Sequence, residues 1–289
     1  MLAVRIACLA TLLFVGGNFT EAADGVSEPS IERWDRVVCL IESHTDAEGK
    51  NSGDAGSAFL LQDDERLILV TAAHVARFTT AKSRLLFRDP DGESHWIILG
   101  GLTSGTGEPW RYHEQADLAA MELDGSRVES KRFASLTALA MPLDELLTQT
   151  PRRTTKIEIV GFPMLLGVAP NVSPLAMGAA VASRELPVEA KWGHEQIIFA
   201  HPVVANGTSG GPAFVTTESP TETRIMGMYM GYQHDQQGHK LAKLVPGRLI
   251  ADFLRQQTPA DSQTRDPARP SVQPDAATDS ATAVLTAGS

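Results

Sequence analysis

Three short stretches of the chain carry side chains that can do chemistry together. The first is NGTSGGPAF, residues 206–214, which sets Ser209 among glycines. A serine hydroxyl is a weak nucleophile until a base takes its proton. Catalysis at Ser209 therefore requires a histidine, and a carboxylate to orient that histidine. The stretch LILVTAAHVA places His74 just after an apolar, strand-like run, among small residues that leave its ring room. The stretch QADLAAMEL places Asp117 at the start of another apolar run. A carboxylate there is at least partly buried, which is costly unless a partner satisfies it. Each residue taken alone reads more simply: a histidine at a strand end is usually an ordinary surface or core residue. An aspartate opening a strand is usually a turn residue, and a glycine-flanked serine is usually a loop. The three together, in the order His, Asp, Ser, point to nucleophilic catalysis.

The elements that must position them are mostly strands. Short β-like runs recur, among them VVCLI, SAFLLQ, LILVT, HWIIL, KIEIVGF, QIIFAH, PAFVTT, IMGMYM and KLAKLV, bounded by Gly, Asp, Pro and Asn. Many short strands at such spacing predict an all-β, antiparallel barrel or sandwich. A helix is expected within residues 135–150, between two β-rich halves. A second is expected in PGRLIADFLRQQ, where Leu249, Ile250, Phe253 and Leu254 share one face and close the folded body. From Thr258 onward Pro, Ser, Thr, Asp and Ala dominate, without aromatics. Such a segment cannot bury enough apolar surface to offset its ordering entropy, so residues 258–289 are expected to be a disordered tail.

At the other end, Arg5 precedes a short apolar stretch from Ile6 to Val15, followed by small residues at Ala22 and Ala23. This is the outline of a secretory signal peptide over residues 1–23, so a secreted or periplasmic protein is expected, with no stable membrane insertion after cleavage. Cys39 is then the sole remaining cysteine, and its apolar setting in RVVCLI predicts a buried structural thiol. The chain has 289 residues and a formal net charge of −10. That length can bury a sizeable core, and the acidic balance argues against nucleic acid as a partner.

With these residues in place, the sequence resembles the chymotrypsin-like, or trypsin-like, serine peptidases. It is most similar to their disulfide-free bacterial branch, in which proteases of the Deg/HtrA type also fall. The resemblance is carried by GSAFLL (56–61), LVTAAHV (69–75), ADLAAMEL (116–123), VGFP (160–163), NGTSGGPAF (206–214) and IMGMYMG (225–231). It implies two antiparallel β-barrels with a short C-terminal helix, in a peptidase domain over residues 24–257. The first barrel would take about 31–125, a linker about 126–153, and the second barrel with its helix about 154–257. It makes His74 the general base, Asp117 its orienting carboxylate and Ser209 the nucleophile. The backbone N–H groups of Gly207 and Ser209 become the oxyanion hole. Val203, with Met228, Tyr229 and Met230 opposite, becomes the substrate pocket, and an apolar base there implies cleavage after small or medium apolar residues. Protein or peptide substrates are implied, and no cofactor.

The sequence also departs from the family pattern. Thr208 stands where many members carry an aspartate that pairs with a newly cut N-terminus, so activation by N-terminal insertion is not expected. Deg/HtrA proteases usually carry a PDZ domain after the body; here a polar stretch of about 30 residues follows it, so peptide-regulated cage assembly is not expected. GTSGG also satisfies the nucleophile elbow of α/β-hydrolases, but too little chain remains after Ser209, and that remainder is β-like. A secreted binding module that kept the fold and lost activity is the non-enzyme alternative. The histidines are scattered, and His234 with His239 has no clear third ligand, so no metal is expected.

Overall fold

The aliphatic runs fold into two antiparallel sheets. A computed structural model describes residues 31–45, 51–105, 107–190 and 193–256. The expected signal peptide and the expected tail lie outside the described residues. The first sheet comprises β1 (Val37–Thr45), β2 (Asn51–Asp63), β3 (Arg66–Thr71), β4 (Arg84–Arg88), β5 (Ser94–Ile98), β6 (Arg111–Tyr112), β7 (Ala119–Glu122) and β8 (Met141–Pro142). Its order is β5-β4-β1-β2-β3-β7-β6, with β8 lying parallel to β2. The second comprises β9 (Lys156–Gly161), β10 (Leu175–Val181), β11 (Leu186–Ala190), β12 (Gly193–His201), β13 (Pro212–Val215), β14 (Ile225–His234) and β15 (Lys240–Pro246). Its order is β10-β9-β13-β14-β15-β12-β11, and pairing of β10 with β12 closes it on itself. This is the expected all-β architecture of two barrels. Three short helices accompany it: α1 (Ala73–Phe78), α2 (Ser130–Thr137) and α3 (Gly247–Arg255).

Local sequence explains several of these choices. The β2–β3 hairpin turns through Asp64–Glu65, with Asp63 opposite Arg66. Asp64 adopts φ 52°, a left-handed conformation that Asp tolerates better than most residues. Cys39 is completely buried, and burial pushes its thiol well above the usual range, so it behaves as a packing group. Helix α3 buries Ile250, Phe253 and Leu254 with Leu249 at the margin, as its apolar face predicts. The helix expected within 135–150 is instead α2, shifted toward the N-terminus. Pro142 has no N–H to donate and pushes Met141 into extended backbone, so the chain leaves the helix and joins β2 as β8.

The two sheets share buried apolar contacts: one cluster runs from Leu60 and Val70 in the first sheet to Val160, Phe214 and Met228 in the second. A polar clasp adds to this. The chain just before β1 reaches across to the second sheet. Arg33, only 2% exposed, pairs with Glu158 at 2.9 Å. Trp34 Nε1–H donates to the same carboxylate at 2.8 Å, and the Arg33 N–H donates to the Pro220 carbonyl at 2.8 Å. Removing one member of a buried ion pair leaves the other charge uncompensated. Arg33→Ala should therefore destabilise the protein by about 2–4 kcal/mol, measured by urea unfolding; a loss within error of zero would show that the clasp is solvated in solution.

Candidate active site

His74 lies in the first turn of α1, three residues beyond the end of β3, and Asp117 lies two residues before β7. The antiparallel register sets Thr71 of β3 opposite Ala119 of β7, so the two side chains emerge at one end of a paired strand couple. Asp117 is 5% exposed, and His74 satisfies both of its oxygens. The His74 backbone N–H donates to Oδ1 at 2.9 Å, and the ring Nδ1 meets Oδ2 at 2.6 Å. A carboxylate facing Nδ1 favours the tautomer with its proton there, leaving Nε2 as the acceptor. The His74 side chain is about half exposed.

Ser209 comes to this place through its backbone. It precedes β13 in a tight loop in which Gly207 and Gly210 both take positive φ, 94° and 88°. The Ser57 N–H in β2 donates to the Ser209 carbonyl at 2.8 Å. Gly210 is pressed against the first sheet: a Cβ there would lie 2.0 Å from the Ser57 carbonyl oxygen and 3.1 Å from the Ala72 nitrogen, two residues before His74. Only glycine fits. The structure thus joins His74 to Asp117 by a direct hydrogen bond and packs the loop that carries Ser209 against the strand end just before His74. Among the described residues the Ser209 hydroxyl makes no hydrogen bond, a looseness common when no substrate is bound.

The expected oxyanion donors are also free of internal backbone partners: neither the Gly207 nor the Ser209 N–H bonds to another part of the chain among the described residues. Both peptides around Gly207 are held. The Met164 N–H donates to the Asn206 carbonyl at 2.7 Å. In a trans peptide the N–H points opposite to the carbonyl, so this contact turns the Gly207 N–H the other way. On the next peptide, the Ser57 hydroxyl donates to the Gly207 carbonyl at 2.9 Å and accepts from the Phe162 N–H at 3.0 Å. Sequence reasoning missed Ser57. Its signal was a small polar residue, fully buried, inside the otherwise aliphatic GSAFLL.

Three of the four expected pocket residues are buried. Side chains alternate along β14, so Met228 and Met230 turn to the cluster shared by the sheets while Tyr229 turns into the second barrel. Met228 is 0% exposed and forms part of the core, not a wall open to substrate. Met230 is 8% exposed and so is largely covered as well. Tyr229, 2% exposed, spans to the other side and donates its hydroxyl to the Val204 carbonyl at 3.1 Å. That bond ties Tyr229 to the segment that carries Val203. Burial, with Tyr232 nearby, pushes the Tyr229 hydroxyl up to about 12, so it remains a donor across the working range. Thr208 is completely buried and its hydroxyl has no partner, so nothing there could hold an inserted N-terminal amine as an ion pair. Among the described residues no group of His, Cys, Asp and Glu is placed to hold a metal ion.

Two β-barrels with a hydrogen-bonded histidine–aspartate pair on one and a glycine-bounded serine loop on the other fit the trypsin-like peptidase class. The sequence profile of the trypsin-like peptidase domain matches residues 56–219, and the chain belongs to this family. No curated protein matches it. Among solved structures, the apo MamO protease domain from Magnetospirillum magneticum superposes with a TM-score of 0.52 at 13% identity, over 77% of this chain and 97% of that one. The inactive form of a serine-to-alanine mutant of Rv3671c from M. tuberculosis H37Rv gives 0.50 at 12% identity, over 83% and 95%. At such identities the likeness is one of fold.

Ser57→Ala removes the hydroxyl that holds the Gly207 peptide without touching substrate. Direct loss of an oxyanion donor costs about 100- to 1,000-fold, so a misoriented one should cost about 10- to 100-fold in kcat. KM should stay within about twofold. Steady-state kinetics on a peptide substrate test this, and a variant with changed KM and unchanged kcat would remove Ser57 from the positioning role.

Proposed function

We propose that the protein is a serine endopeptidase that cleaves through Ser209, His74 and Asp117. The observation that carries this reading is the two-point hold of His74 on Asp117 beside a loop whose Gly207 and Ser209 N–H groups are free. In the reaction, His74 Nε2 takes the Ser209 proton as Oγ attacks the substrate carbonyl carbon. Asp117 holds the ring and stabilises the imidazolium that forms. The Gly207 and Ser209 N–H groups receive the charge that develops on the carbonyl oxygen. His74 then protonates the departing amine, leaving an acyl-serine that water hydrolyses by the same steps in reverse roles.

Specificity is set by Tyr229. Its phenol shortens the space beside Val203, which favours cleavage after small apolar residues such as Ala and Val. Thr208 and the Arg33 clasp support activity that needs no newly cut N-terminus. The leader read in residues 1–23 supports export, so the site of action is outside the cytoplasm.

Three measurements test the reading. A fluorophosphonate should label the wild type and not Ser209→Ala, which should also lose peptide hydrolysis while keeping its fold; labelling of neither would favour the inactive binding module. Asp117→Asn should lower turnover on the order of 10,000-fold, because the ring loses its correct tautomer. Tyr229→Leu should shift preference toward larger apolar residues by roughly 10-fold in kcat/KM, since each methylene-sized change in an apolar pocket is worth about that; an unchanged profile over a peptide library would place the pocket elsewhere.

A further inference from the structure

A second cleft lies away from Ser209. It is an open cleft of about 720 Å³ at the far end of the second barrel, lined by Thr148, Thr150, Arg152, Arg153, Arg184 and Glu185 among others. Arg152 and Arg153 precede β9, and Arg184 sits in the turn between β10 and β11. The Thr154 N–H donates to the Val181 carbonyl at 2.8 Å, tying these segments together. Glu185 braces the wall: it accepts from the Thr150 hydroxyl at 3.1 Å and pairs with Arg248 of α3 at 2.7 Å. The three lining arginines are exposed, and among the described residues none of them makes an ion pair or a side-chain hydrogen bond. Unpaired cations around one cleft stand out on a chain of net charge −10.

The cleft has a defined relation to the proposed site. β9 runs from the arginines at Lys156 to Gly161, which packs against Ser57 and Thr208 at the active loop. Six residues of strand span about 17–20 Å. A polypeptide in the active cleft would cover that distance with about six extended residues. The volume far exceeds a single phosphate, and arginine forks match carboxylates in two-point pairs.

We propose that this cleft is an exosite that holds an acidic segment of the polypeptide substrate while a bond about six or more residues away is cut. The proposal rests on the peptidase reading and adds substrate selection to it. Attraction from three exposed arginines is modest and screened by salt, so the exosite acts on KM and leaves the chemical step alone.

The test uses the full mature chain and two fluorogenic peptides with the same apolar cleavage sequence. One carries a run of Asp and Glu beginning six residues from the scissile bond, on either side in separate versions; the other carries Asn and Gln. The acidic version should show a KM about five- to tenfold lower at low ionic strength, a difference that vanishes at 1 M salt. The triple variant Arg152→Gln, Arg153→Gln, Arg184→Gln should abolish the difference while leaving kcat and KM on the neutral peptide within twofold. Direct binding to Ser209→Ala, read by fluorescence anisotropy, should show the same preference for the acidic peptide. Selective binding there without any cleavage by the wild type would retain the exosite and sink the peptidase reading. Cleavage of both peptides with equal KM and equal binding would overturn the exosite. Binding of polyphosphate with no binding of the acidic peptide would overturn the peptide assignment.

Discussion

Ser57 is where the two sheets meet at the site of chemistry. Every polar group of this one buried residue is used. Its N–H holds the Ser209 carbonyl, its hydroxyl holds the Gly207 carbonyl and receives the Phe162 N–H, and its own carbonyl accepts from the Thr71 hydroxyl at 2.8 Å. Two alternate carbonyls of the active loop are therefore fixed from one point on β2. A buried backbone group without a partner is costly, so the loop cannot turn either peptide without breaking a bond in the interior. The peptides flanking the Ser209 N–H are thus fixed by the way β2 packs against the second barrel, while the Gly207 N–H is turned by the Met164 contact.

The first sheet delivers its half of the site to the same point. β3 ends at Thr71, whose hydroxyl binds Ser57, and His74 comes within one turn of α1. β7, paired with β3, carries Asp117 into reach. Gly210, pressed onto Thr71 and Ala72, sets the distance between the halves. The candidate residues sit just beyond the strand ends, so their placement is set by strand register, with Asp117 buried and the His74 ring half exposed.

Charge is managed differently in different places. The buried Arg33 and the neighbouring Trp34 both engage the Glu158 carboxylate, and Glu195, 1% exposed, is paired with Lys243. Such groups are fixed and structural, because leaving either charge alone in the interior is unfavourable. The arginines around the far cleft lie in water with no partner among the described residues, where an incoming anion meets a small desolvation cost. Buried pairs hold the barrels together, and exposed cations remain available for binding.

Much was legible in the chain itself. TAAH, DLA and GTSGGP carry residue types that work only together, and the strand runs and the helix at 247–255 arise from local periodicity, which neighbours along the sequence dictate. The misreadings share one cause. Placing a helix within 135–150 overlooked how Pro142 steers the chain into β2, and assigning Met228 to a pocket required knowing which face of β14 the second barrel encloses. Ser57 and Gly207 are 150 positions apart, and Arg33 and Glu158 are 125 apart, so no local pattern announces either contact. The sequence by itself determined the β class and the family, and marked His74, Asp117 and Ser209 as the candidate site, because those depend on residue type and short spacing. Only the tertiary structure decided how the loop at Gly207 and Ser209 is held, that Tyr229 is buried against Val204 and where the unpaired arginines gather, because each arises from surfaces that meet only when distant strands pack.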